Sequence, residues 1–259
     1  MATVNYEIRE GDSDSTVILH VPHASREIPV AVRDDLLLDE LALNRELDAM
    51  TDTDTDLLAI AARNQAKLKP WIFQNKLSRL VIDPERFPDD REVMNSIGMG
   101  AVYRKTSNGE DLRKFDGARD AALLHSYFHP YAAALEETVR SIAISKGCVT
   151  IIDVHSYPRF EHLNGVNKGQ RRPAVCLGVD DFHTPAWLQN LAQSHFSRAG
   201  DVIINEPYAG TYVPLSLYRV DSRVSSVMME NREDTISGAG LSRSATVLAD
   251  LIDAIEESR

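Results

Sequence analysis

Two histidines that each follow a short apolar run are the residues of this sequence best suited to chemistry. His23 ends the segment Ser-Thr-Val-Ile-Leu-His-Val-Pro-His, and His155 ends Cys-Val-Thr-Ile-Ile-Asp-Val-His. Both runs are β-branched and short enough for buried strands. Functional residues of parallel sheets gather at the carboxyl ends of the strands. Because both histidines fall at such ends, the pattern predicts a metal site.

A third ligand is expected from a nearby cluster of aspartates. A catalytic zinc keeps three protein ligands and one open position, and a His/carboxylate/His set suits it. We predict Asp52 as the carboxylate, since it opens a helix beside the first histidine loop. Acidic residues also cap helices without any metal. The choice among the candidates therefore stays open at this point; they are Asp48, Asp52, Asp54 and Asp56.

His20 is the main competitor for the metal, because it precedes His23 by only three residues. Residues three apart on an extended strand point to opposite faces, so both would face one site only if Pro22 bends the chain. We therefore rank His23 first. His125 and His129 share one helical face and are predicted to cover the helix surface.

Two carboxylates are placed to assist a metal. Asp153 precedes His155 by two residues, and a metal-bound imidazole commonly needs an outer carboxylate that fixes its tautomer. Glu230 follows the apolar run Val-Met-Met and would reach the crevice from a strand end. A general base that activates water beside a metal needs a carboxylate in that position.

Arginines near these segments are candidates for holding a substrate carboxylate, because planar guanidinium matches that group best. Arg79 and Arg86 bracket the apolar run 80–83, and Arg232 follows Glu230. The alternative is an ion pair with a neighbouring acidic residue at the surface.

The apolar patterns predict strands that alternate with helices. Strands are predicted at residues 17–20, 71–73, 80–83, 148–155, 174–179, 202–204 and 224–229; helices at 39–50, 57–62, 112–146, 185–196 and 241–257; and a long functional loop at 84–109. Such alternation predicts an α/β fold with a mixed, mainly parallel sheet and helices on both faces.

Composition narrows the function classes. Lys and Arg number 28 against 39 Asp and Glu, a net charge of −11, which argues against nucleic acid or an anionic membrane as partner. No linker divides the 259 residues, so we predict a single domain over 1–259. Cys148 and Cys176 form no metal-binding spacing and are predicted to be reduced core residues. Without a signal core or membrane-length apolar run, a cytoplasmic protein is expected.

Six sequence blocks occur in a fixed order along the chain. They are VPHASREIP at 21–29, MTDTDTDL at 50–57, SRLVID at 78–83, DVHS at 153–156, NEPYAGTY at 205–212 and MENR at 229–232. In this order they resemble the N-formylglutamate amidohydrolase family, over about residues 17 to 232, which is most of the chain. The sequence departs from the family pattern in two places. The segment at 83–86 reads DPER where many relatives have an Asn, and Thr211 stands where the family usually has a second glycine.

The resemblance implies the three-layer α/β fold of zinc-dependent exopeptidases and one zinc ion. It also implies hydrolysis of an N-acyl amide such as N-formyl-L-glutamate, an anionic small molecule. Carried onto the matching motifs, it gives metal ligands and a general base, and we add substrate contacts near the last two blocks. These are His23, Asp52 and His155 as ligands, Glu230 as base, and Gly210, Tyr212 and Asn231, beside the three arginines, for substrate.

Two other functions remain open. The first is a metallohydrolase that acts on another N-acyl amino acid or a small peptide, through different pocket residues. The second is a non-catalytic binding protein on the same scaffold, although the intact His/Asp/His/Glu set speaks against it. Another divalent ion could replace zinc, because ligand type selects poorly among first-row metals. The sequence does not indicate an oligomeric state.

Overall fold

A computed structural model describes residues 4–259, and it contains one mixed seven-stranded sheet. The strand order is β1-β3-β2-β4-β7-β5-β6. β1 and β5 are antiparallel to β3 and β7, respectively, and the other neighbours are parallel. The strands are β1 Tyr6–Arg9, β2 Val17–Val21, β3 Trp71–Asn75, β4 Val149–Tyr157, β5 Val175–Gly178, β6 Val202–Ile204 and β7 Val224–Arg232.

Helices cover both faces of this sheet. α3, α6 and α7 pack on one face, and α5 packs on the other. Two short 3₁₀ helices (Val93–Ile97, Glu233–Thr235) and one π-helical turn (Leu124–Phe128) complete the elements. The α-helices are α1 Val30–Arg33, α2 Glu40–Met50, α3 Thr55–Gln65, α4 Gly117–Leu123, α5 His129–Lys146, α6 Ala186–Phe196 and α7 Ala239–Glu257.

The central strand β4 explains how the fold positions polar groups. Ile152 and Val154 point to one face and join the core beneath α3, α6 and α7. On the other face, Ile151 packs toward α5, whereas Asp153 and His155 follow at the carboxyl end. Alternation of side chains along the strand thus places a buried polar patch directly above an apolar core.

The predicted fold class is confirmed: the protein has an α/β fold with a mainly parallel sheet and helices on both faces. The single-domain organisation stays a prediction. One strand was not predicted, namely β1, a polar edge strand with no alternating apolar pattern. Among residues 4–259, no helix has both the length and the apolar character needed to cross a membrane.

The strand predicted at residues 80–83 is wrong, because this buried segment is a turn. The Ser78 hydroxyl accepts a hydrogen bond from the Leu80 amide at 3.2 Å, and the Val81 amide donates to the Ser78 carbonyl at 2.9 Å. Such local bonds compete with strand pairing. Arg79 and Arg86 therefore flank a turn and not a strand, which lets both approach the same carboxylate.

Candidate metal centre

Three atoms of the predicted ligands converge. His155 Nδ1 lies 2.9 Å from Asp52 Oδ2 and 3.3 Å from His23 Nδ1, and His23 Nδ1 lies 3.7 Å from Asp52 Oδ2. Ligands about 2.0–2.2 Å from a tetrahedral zinc would lie roughly 3.3–3.6 Å apart. The donor types and the spacing therefore fit a zinc-like divalent ion held by these three residues.

Each ligand is fixed by the element that carries it. His23 lies just beyond β2, and its carbonyl accepts the Asp52 amide at 3.0 Å, which ties this loop to the turn between α2 and α3. The Ser156 amide donates to Asp52 Oδ2 at 3.2 Å. Of the four candidate aspartates, Asp52 alone is buried. Asp48 pairs with Arg26 at 2.7 Å on the surface instead.

Asp83 orients the first histidine from behind. Its Oδ1 lies 3.0 Å from His23 Nε2, so His23 can present Nδ1 toward the other ligands. Its Oδ2 accepts hydrogen bonds from Arg79 at 2.7 Å and Tyr103 at 2.6 Å. Burial opposes ionisation of Asp83, but the charges of Arg79 and His23 outweigh it and hold the pKa of this carboxyl well below its ordinary value.

The back of His155 faces two carboxylates. Its Nε2 lies 3.1 Å from Asp153 Oδ1 and 3.2 Å from Glu85 Oε2. Although burial acts in the opposite direction, these two charges raise the pKa of His155 well above its ordinary value. Because only a neutral imidazole binds metal, metal uptake would release a proton and weaken at low pH.

A second buried cluster lies beside the first and shares Glu85 with it. His20 Nδ1 is 2.9 Å from Asp153 Oδ1 and 3.3 Å from Glu85 Oε1, and His20 Nε2 is 2.6 Å from the Tyr131 hydroxyl. His20, Glu85 and Asp153 also have the spacing of a metal-binding group, as do His23, Glu85 and His155.

The chain bends at His23, directly after Pro22, and Glu85 approaches both the His20 and the His23 rings. Sequence reasoning missed Glu85, which lies in the segment 83–86 where the chain differs from many relatives of the family that it resembles. That difference was the available signal, although no local pattern shows that the side chain turns inward.

Glu230 lies beside His155 in the parallel pairing of β4 and β7. It is 8% exposed, and its Oε2 has no hydrogen-bond partner within residues 4–259. Burial raises the pKa of Glu230 to about 8, opposed by the charge of His155. A carboxylate with a pKa near the working pH can both take and return a proton.

The arginines predicted to hold substrate are already paired. Arg79 Nε and Nη2 donate to Asp83, and its Nη1 lies 3.6 Å from Asp52. Arg86 Nε lies 3.6 Å from Asp83. Arg232 binds Asp234 at 2.6 Å. Arg79 and Arg86 border the centre, whereas the pairing of Arg232 directs its guanidinium toward Asp234.

The other residues predicted to contact substrate differ in placement. The Tyr212 ring lies 5.0 Å from that of His20, tilted by 34°, and the Tyr212 amide donates to Asp153. Gly210 serves a turn, with φ of 87° and its amide bonded to the Asn205 side chain. Asn231 is fully buried and follows Glu230, so it points to the opposite face, where it donates to the His155 carbonyl at 3.0 Å. Its contact with substrate stays a prediction.

The sequence profile of the N-formylglutamate amidohydrolase family matches residues 15–237, which is most of the chain. The chain belongs to this family. The matched region includes all the residues of the candidate centre. Membership assigns the chain to amidohydrolases, and the resemblance noted in the sequence is confirmed.

Solved structures share the fold. An N-formylglutamate amidohydrolase from Ralstonia eutropha JMP134 is similar at 20% identity with a TM-score of 0.79, over 99% of this chain and 98% of that one. A gene product of Agrobacterium tumefaciens is similar at 20% identity with a TM-score of 0.76, over 99% and 96%. No curated protein sequence matches the chain.

Proposed function

We propose that this protein is a zinc-dependent amidohydrolase that cleaves an N-acyl amino acid, most directly N-formyl-L-glutamate, to formate and L-glutamate. The observation that carries the proposal is the convergence of His23 Nδ1, His155 Nδ1 and Asp52 Oδ2 beside the unpaired carboxyl of Glu230. The family to which the chain belongs supports this choice of substrate.

Bound by those three residues, a divalent ion would supply Lewis-acid chemistry for the amide carbonyl and acidity for a water molecule. Glu230 takes a proton from the attacking water and returns it to the amine nitrogen as the carbon–nitrogen bond breaks. Asp83 holds the His23 ring, and Asp153 with Glu85 faces the far side of His155. One water is consumed for each formate and glutamate released.

The first test couples metal content with product formation. Purified protein is analysed for metal, and formate release from N-formyl-L-glutamate is measured with and without chelator and after zinc is restored. We expect about one zinc per chain and formate release that chelator abolishes and zinc restores. Protein that binds no divalent metal after reconstitution would overturn the proposal.

The experiment also separates the alternatives. Stoichiometric zinc without formate release would direct the search to other N-acyl amino acids or small peptides. Zinc without turnover of any such amide would favour a binding protein on the same scaffold.

A further inference from the structure

Arg172 is held rigidly at the end of the loop between β4 and β5. Its guanidinium lies 5.0 Å from the centroid of the Tyr157 ring. Nε and Nη2 donate to the Pro158 carbonyl at 3.1 and 2.8 Å, respectively. The Arg232 guanidinium donates to the Arg172 carbonyl at 2.7 Å. Both the side chain and the backbone of Arg172 are therefore fixed before any ligand arrives.

One edge of this guanidinium is unsatisfied. Nη1 is buried and has no hydrogen-bond partner within 3.5 Å in the described part of the chain, and the Tyr208 hydroxyl lies near the same guanidinium. No carboxylate of residues 4–259 forms an ion pair with Arg172. By contrast, Arg79 and Arg232 are paired with Asp83 and Asp234. A buried donor of a charged group that lacks a partner is costly, which indicates a place for an anion.

The position of Arg172 relates it to the candidate centre. Tyr157 follows His155 by two residues on the same face of β4, which places the two Cα atoms about 7 Å apart. The Tyr208 ring packs 5.5 Å from that of Tyr157. Burial, and then the nearby Glu230 carboxylate, raises the pKa of Tyr208. Arg172 thus lies along the Glu230 side of the centre.

We propose that Arg172 binds a carboxylate of the substrate, with Nη1 as the donor and Tyr157 as the surface that orients the guanidinium. This assignment rests on the proposed function, because an N-acyl amino acid always carries a carboxylate near the scissile amide. It replaces the sequence-based choice of Arg232, whose side chain supports Arg172 through the backbone. Sequence reasoning had no signal for Arg172, because the residue lies in an irregular loop.

The test compares Arg172→Gln and Arg172→Lys with Arg171→Gln, which removes an exposed neighbouring charge. Substrates are N-formyl-L-glutamate and its two monoamides, in which one or the other carboxylate is neutral. For N-formyl-L-glutamate, Arg172→Gln should lower kcat/KM by about 10- to 100-fold, mainly through KM. The kcat/KM of Arg172→Lys should lie between those of the wild type and Arg172→Gln, because lysine keeps the charge without the planar geometry.

For one of the two monoamides, the penalty of Arg172→Gln should disappear, and this identifies the carboxylate bound by Arg172. Arg171→Gln should match the wild type on all three substrates. An equal penalty on all three substrates, or none, would overturn the assignment.

Calorimetric binding of L-glutamate to the zinc-loaded variants separates this inference from the proposed reaction. If the wild type binds L-glutamate, Arg172→Gln weakens that binding about 10-fold or more, and no formate is released, the role of Arg172 is supported and the proposed reaction is rejected. Equal binding by both proteins would reject the anchor, whatever the activity.

Discussion

The two buried histidine clusters combine the same residue types in different arrangements. Around His23 and His155, two imidazole nitrogens and the Asp52 carboxylate point toward one another, and Glu230 adds an oxygen without a partner in residues 4–259. Around His20, each ring nitrogen is closely engaged, one by Asp153 and the other by Tyr131.

The contrast shows that residue type does not make a ligand site. Buried polar groups that satisfy one another form a scaffold, whereas groups with converging lone pairs leave a place for a cation. Glu85 lies near both His20 and His155, so the two clusters share this carboxylate. If the distinction is correct, substitutions in the two clusters should differ in kind.

The largest effect is expected from His155→Ala. Loss of one of three ligands should remove the bound metal and lower kcat/KM by roughly 10³-fold or more. Elemental analysis and formate release measure the two consequences, with His125→Ala on the exposed helix surface as the control. A variant that keeps one zinc and most of its activity would show that His155 is not a ligand.

Glu230→Gln should leave the metal in place and lower kcat by about 10²- to 10⁴-fold, because it removes the group that transfers the proton. The same two assays are used. Loss of metal together with activity would instead place Glu230 among the ligands.

The same substitution should change how the stability of the metal-free protein depends on pH. The pKa of Glu230 is raised to about 8, so the folded chain retains this proton after the unfolded chain has released it. The resulting stability is fully present below about pH 4 and declines as pH rises toward about 8. The free energy of unfolding is measured with urea, in chelator, at about pH 5 and about pH 9. Its decrease between the two pH values should be smaller for Glu230→Gln than for the wild type. Equal losses would contradict the assigned titration.

Asp83→Asn tests the support of the first histidine. The amide keeps the shape but loses the charge beside His23 Nε2, so metal affinity should fall about 10- to 100-fold. Competition with a chelator gives the affinity, and Asp48→Asn is the surface control. An unchanged metal affinity would show that Asp83 does not support His23 as a ligand and that its role is the ion pair with Arg79.

The smallest effect is expected from Tyr131→Phe in the second cluster. Loss of the 2.6 Å hydrogen bond to His20 should lower the free energy of unfolding by about 1–2 kcal/mol and leave the metal content unchanged. Denaturant unfolding and elemental analysis measure both. A change in metal content would mean that the His20 cluster is itself a ligand site.

The local pattern was sufficient for most strands and helices, because apolar periodicity depends only on which side chains face the core. It failed for residues 80–83, where Ser78 bonds to the following amides, and for the polar edge strand β1. The positions of His23 and His155 at strand ends were also predictable, since each depends on one apolar run. The roles of all these site residues remain predictions.

By itself, the sequence determined the α/β class, the residue types available for a metal and the family. Only the tertiary structure showed that Asp52 is the buried one of the four aspartates, brought Glu85 against His155 and left one edge of Arg172 unsatisfied. The physical reason is that strand ends and apolar faces depend on neighbours in the chain. Distances between side chains on different elements depend on sheet register and loop path, which a single local pattern does not contain.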